Sequence, residues 1–155
     1  MIPPSISPHF LLIFDFKKIE MFRNPDLYVT ASKLGGRGVF AGTAIAKGEL
    51  IESCPVVLCK KGERDALDST ALYDYYFLWE DEDDPSVEAA VALGWGSLYN
   101  HFAPSNAEYV MDFEEKTIDI FSRRYIDVGE EITINYNGNP TDKTPPWFMT
   151  DEKKR

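Results

Sequence analysis

Seven short β-favouring runs, separated by glycine, proline or acidic turn residues, limit what this chain can fold into. They fall at 27–30, 38–41, 49–52, 56–59, 108–113, 117–121 and 132–136. Runs of this length and spacing predict a mainly β single domain. Two of them alternate around Glu114-Glu115-Lys116, which reads as a hairpin. The stretch 64–78 is the one candidate helical insert, dense in aromatics and followed by the acidic run Glu80-Asp81-Glu82-Asp83-Asp84. No internal repeat is evident, and the prolines between 140 and 146 interrupt regular structure before Trp147-Phe148.

At 155 residues the chain suits one domain, since a protein of this size buries roughly 70% of its unfolded surface. The 26 acidic against 16 basic residues, a net charge of −10, argue against autonomous nucleic-acid binding, which needs a basic stripe. Acidity suits a basic protein or peptide partner instead. Cys54 and Cys59 flank an apolar run, and His9 and His101 are remote in sequence from them. Four clustered Cys/His ligands are therefore missing, no metal site is expected, and a reduced, intracellular protein is. The apolar run 10–14 is interrupted by Asp15, lacks a basic flank and is too short to span a membrane. Residues 1–20 read as an extension outside the domain, with Met21 a second candidate start; an extra edge strand or a homodimer contact is the competing reading.

Four segments carry chemistry in a fixed order. Gly35-Gly36-Arg37-Gly38-Val39-Phe40-Ala41 and Lys47-Gly48-Glu49-Leu50-Ile51 lie near the front. Tyr99-Asn100-His101-Phe102-Ala103-Pro104-Ser105-Asn106 and Gly129-Glu130-Glu131-Ile132-Thr133-Ile134-Asn135-Tyr136 follow. Taken singly, each has an ordinary reading: a glycine turn before a strand, a hydrogen-bonded histidine, a core tyrosine. Together and in this order, from about residue 27 to 139, they resemble the SET domain of protein lysine methyltransferases.

That resemblance implies small curved sheets around a C-terminal pseudoknot, within a domain taken as 21–139, and a tail, 140–155, that closes the channel. It also implies S-adenosyl-L-methionine as cofactor and the ε-amine of a lysine in a protein, such as a histone tail or another basic protein, as acceptor. Gly36-Arg37-Gly38 and Asn100-His101 would hold the cofactor, and Tyr136, at the end of the Gly-Glu-Glu-Ile-Thr segment, would be the catalytic phenol. Ile134 stands where many members carry a phenol that limits methylation. Other members place that group eight residues after the histidine, here Tyr109, which becomes a second catalytic candidate. The cysteine-rich zinc segment that follows the domain in many members is absent, and Trp147 with Phe148 would pack over the adenine in its place. A catalytically silent module acting as a scaffold is the alternative, disfavoured because a scaffold has no need of Tyr136.

Overall fold

The computed structural model describes residues 21–146; the extension 1–20 and the tail from Trp147 onward lie outside the described residues. Among the described residues nine strands form two sheets. β1 (Leu27–Ala31), β2 (Arg37–Ala41), β6 (Asn100–His101) and β9 (Glu131–Ile134) make a four-stranded sheet in the order β1-β2-β9-β6. β3 (Leu50–Lys60), β4 (Tyr76–Leu78), β5 (Val87–Ala92), β7 (Ala107–Asp112) and β8 (Thr117–Ser122) make a five-stranded sheet in the order β4-β5-β3-β8-β7.

The runs at 49–52 and 56–59 are parts of one strand. β3 pairs with β8 from Leu50 to Pro55, then with β5 from Val56 to Lys60. Pro55, which has no N–H to give, marks the exchange of neighbours. β7 and β8 form the expected hairpin, closed through Lys116, which takes a left-handed φ of 56°. β5 was not expected from sequence: Val-Glu-Ala-Ala-Val-Ala has helix-forming alanines, but Ala89 and Ala90 are buried between β4 and β3, where their small size permits close packing.

The stretch 64–78 is not one helix. It forms a five-residue helix α1 (Arg64–Asp68), a 3₁₀ turn at Ala71–Asp74 and then β4. Thr70 is extended and its hydroxyl accepts the Leu72 N–H, which starts the new turn. The following aromatics, Tyr76 and Phe77, pair as a strand with Val91 and Ala90.

Two Gly-Glu segments are built alike. Ile45 and Ile126 bridge each other, and each is followed by a turn that its own glutamate closes. Glu49 accepts the Ala46 N–H at 2.9 Å, and Glu130 accepts the Asp127 N–H at 3.1 Å. Gly48 and Gly129 supply φ of 81° and 80°. Beneath them the core is a run of fully buried side chains, Val39, Ile45, Ile51, Ile118, Ile120, Ile126, Ile132 and Ile134. Each contributes about 1.5–3 kcal/mol of burial.

The C-terminal chain closes the domain. β6 runs parallel to β9, with Asn100 opposite Thr133 and His101 opposite Ile134. The Phe102 N–H donates to Ile134 O and the Ser105 N–H to Pro140 O, so 134–140 lies against 100–105. Asn106, 3% exposed, ties the two: its amide donates to Glu131 O and Glu130, and its oxygen accepts the Thr133 N–H. This is the junction that the resemblance implies as a pseudoknot.

Candidate active site

Two cavities share a border that includes Tyr136. The first, about 720 Å³, is lined by Leu34, Gly35, Gly36, Arg37, Asn100, His101 and Phe102, with Lys143 to Pro146 along one wall. The second, about 860 Å³, is lined by Tyr76, Phe77, Leu78, Glu80, Tyr109, Met111 and Phe113, with Asn137 and Gly138 beside them. Tyr136, Asp74, Tyr75, Ser97 and Thr144 border both.

β9 delivers Tyr136 to this junction two residues beyond its end. The Tyr136 N–H donates to His101 Nδ1 at 3.1 Å, and the Tyr136 hydroxyl donates to Tyr99 O at 3.1 Å. Burial pushes the phenol up to about 12, so at neutral pH it is an O–H group and not a phenolate. The His101 ring lies 5.3 Å from the Tyr136 ring. Because Nδ1 accepts, the neutral imidazole carries its proton on Nε2. Burial lowers the His101 pKa, against an opposing effect of Asp142.

Glycine does two separate jobs in the first cavity. Gly36 takes a φ of 53°, and no atom lies within 4 Å of where a side chain on Gly35 or Gly36 would begin. That backbone is open to a ligand. Gly38 instead faces inward, where a Cβ would overlap the Glu131 carboxylate. Glu131 fills that space, accepting from Ser32 Oγ at 2.7 Å and Asn100 Nδ2 at 2.7 Å. Asn100 Nδ2 also lies 3.0 Å from Arg37 O and 3.4 Å from Gly35 O. The asparagine amide thus holds the glycine turn in shape, and Gly38 is left out of the cavity lining.

Tyr109 lines the second cavity from β7, edge-on to Phe77 with ring centroids 5.2 Å apart. Burial, then Glu80, raises its pKa. Ile134 is fully buried and offers no polar group. Of the sequence-predicted site residues, Gly36, Arg37, Asn100, His101 and Tyr136 share one cavity, and Tyr109 shares the other with Tyr136. Trp147 lies outside the described residues. Sequence reasoning missed Leu34, Asp74, Tyr75 and Lys143. Asp74 and Tyr75 sat within the presumed helix, and Lys143 in a proline-rich tail with no motif to mark it. Among the described residues no group of three or more His, Cys, Asp or Glu could hold a metal ion.

A backbone-lined cavity and an aromatic one, bordered in common by a half-buried phenol beside an Asn-His strand, define a domain that comparison with protein families matches to the SET domain over residues 36–137. The chain belongs to that family. It is a protein-lysine methyltransferase: over 120 residues it is 31% identical to the histone-lysine N-methyltransferase of Schizosaccharomyces pombe specific for H3 lysine-37, covering 77% of this chain and 78% of that one. The crystal structure of a Plasmodium falciparum protein assigned as a histone methyltransferase is 30% identical, with a TM-score of 0.56, covering 73% of this chain and 94% of that one.

Proposed function

We propose that the enzyme takes its methyl group from S-adenosyl-L-methionine in the first cavity and delivers it to a lysine of a basic histone tail in the second. The observation that carries this reading is that the two cavities share only the border formed by Tyr136, Asp74, Tyr75, Ser97 and Thr144. In-line displacement at a sulfonium carbon needs donor and acceptor on opposite sides of the reacting centre, and positioning supplies most of the rate.

The first cavity suits the cofactor in size and in its groups. Its volume falls within the range of small-molecule sites. The exposed Gly35-Gly36 backbone, the cationic Arg37 and Lys143, and the apolar Leu34, Phe102 and Pro146 match a ligand with an amino-acid end and an adenine end. When bound, the cofactor supplies an electrophilic methyl group.

The protein's own part is to align the reacting groups and keep them dry. The Tyr136 hydroxyl is held on Tyr99 O, so its oxygen and that carbonyl present paired acceptors at the junction. A free lysine has a pKa of about 10.4 and is protonated at neutral pH. Walls made of Phe77, Tyr109, Met111 and Phe113 disfavour the ammonium form by desolvation. Glu80 on the same wall and the acidic run beside it favour approach of a basic tail. Transfer of labelled methyl from S-adenosyl-L-methionine to purified histones, followed by mass spectrometry of the modified lysine, tests the reading. Label on a histone lysine is expected; calorimetry showing no cofactor binding would overturn it.

A further inference from the structure

Glu52 is an acidic side chain placed where sheets normally put apolar ones. The register of β3 against β8 slips between Leu50 and Glu52, and on the bulged strand Ile51 and Glu52 are both buried, at 0% and 2% exposure. Regular pleating would turn one of them to the opposite face; a bulge re-aims a side chain. What it meets is a matched set of donors. Glu52 Oε2 accepts the Tyr99 hydroxyl at 2.8 Å, and Oε1 accepts the Trp95 N–H at 3.0 Å. Gly94, at a φ of 71°, leaves room for the contact, since a Cβ there would lie 2.6 Å from Oε1. Arg23 covers the Trp95 ring at 4.2 Å and its backbone bridges Glu52.

Both donors belong to the segment that leads into Asn100-His101. Tyr99 is 1% exposed and its ring is pinned by Glu52, while its carbonyl oxygen takes the Tyr136 hydroxyl at 3.1 Å. A buried carboxylate is costly to desolvate, and an apolar residue would fill the same core position more cheaply. We propose that Glu52 is a positioning residue for methyl transfer: by fixing Tyr99 from behind, its carboxylate sets the carbonyl that aims the Tyr136 hydroxyl. Glu52 touches neither cavity. It acts through Tyr99, whose segment it also holds at the Trp95 N–H, and the proposal rests on the role assigned above to Tyr136.

The test compares Tyr99→Phe, Glu52→Gln, Tyr136→Phe and the double variant Tyr99→Phe/Tyr136→Phe, in full-length protein, by kcat, KM for a histone peptide and calorimetric affinity for S-adenosyl-L-methionine. Tyr99→Phe keeps the ring and loses only the oxygen that Glu52 holds. Its kcat is expected to fall about tenfold, with KM and cofactor affinity within about twofold, because small misplacement of a reacting group is costly. Glu52→Gln, whose oxygen can take the Trp95 N–H and whose amide can meet the Tyr99 hydroxyl, should keep more than half of kcat. In the Tyr136→Phe background Tyr99→Phe should cost nothing further. Unchanged kcat in Tyr99→Phe alongside a lowered melting temperature would make Glu52 a stabilising group only and overturn the proposal. Multiplicative losses in the double variant would also overturn it. Full turnover in Tyr136→Phe would instead remove the catalytic role of Tyr136, and the proposed route with it.

Discussion

The two cavities are held open by different means. The first is shaped by hydrogen bonds to the main chain: Asn100 spans Gly35 O, Arg37 O and Glu131, and Glu131 sits in the space that Gly38 vacates. The second is shaped by packing, with Tyr109 against Phe77 and Phe113 against Trp79 at 5.0 Å. Hydrogen-bond networks fail abruptly when one member is lost, whereas an aromatic wall can be altered by one atom and keep its form. The cofactor side is therefore expected to be intolerant and the acceptor side adjustable.

The largest effect should fall where the cavities meet. Tyr136→Phe is expected to lower kcat by ~10² to 10³, the usual cost of one transition-state hydrogen-bonding group, with melting temperature and cofactor affinity near wild type. A fully active variant would break the comparison at its centre.

Next come changes to the hydrogen-bonded side. Asn100→Ala should weaken S-adenosyl-L-methionine at least tenfold, about 1.4 kcal/mol. Gly38→Ala should do the same from a distance, because the new methyl displaces the far end of Glu131 and leaves Asn100 without it. Calorimetry on the folded variants checks both, and unchanged affinity in Gly38→Ala would show that the turn keeps its shape without this lock.

On the packed side Tyr109→Phe should retain appreciable turnover while shifting products toward higher methylation. The wild type is expected to stop at mono- or dimethyl-lysine, because the Tyr109 hydroxyl occupies space near Gly138, 3.5 Å from where a Cβ there would lie. Mass spectrometry of a single-lysine peptide decides it. Wild-type trimethylation, or an unchanged distribution, would make Tyr109 a packing residue.

A smaller effect concerns acid. His101 has a lowered pKa in the fold, so the unfolded chain binds its proton more readily. Its contribution to stability is full above the unfolded value of 6.5 and is lost as pH falls through the lower folded value. Protonation at Nδ1 would also break the bond from the Tyr136 N–H. Asp142→Asn removes the carboxylate that opposes this lowering, so the folded value falls further from the unfolded one and the acid-side loss of stability should begin at the same pH, become larger and extend to lower pH; melting temperature against pH reads the change. Smallest of all, neutralising Asp81, Glu82, Asp83 and Asp84 together should flatten the fall of peptide affinity with salt, since exposed charges are screened within about 10 Å at 0.1 M. An unchanged slope would leave steering to Glu80.

Much of this was legible in the sequence, and unevenly so. The hairpin at β7 and β8 follows from alternation on both sides of a short turn, and Tyr136 was marked by the Gly-Glu-Glu-Ile-Thr segment that precedes it, although β9 ends two residues short of it. β5 was hidden because its alanines are chosen for tight packing and not for strand propensity. The presumed helix over 64–78 failed because aromatic density is read equally well by a strand edge, and only the pairing of Tyr76 with Val91 decides it. The Gly38-Glu131-Asn100 lock joins three segments far apart in the chain, so no local window contains it. Glu52 was hidden for the same reason, since a bulge is a property of two paired strands.

The placement of β9 has a consequence for how the enzyme comes into being. Its partners are made far earlier in synthesis: Val39 of β2 pairs with Ile132, and His101 of β6 with Ile134. The five-stranded sheet, by contrast, has all its strands by Ser122. Tyr136, two residues beyond β9, borders both cavities, so neither cavity is complete until that strand is seated. Methyl transfer through Tyr136 thereby becomes a readout of whether β9 has been seated.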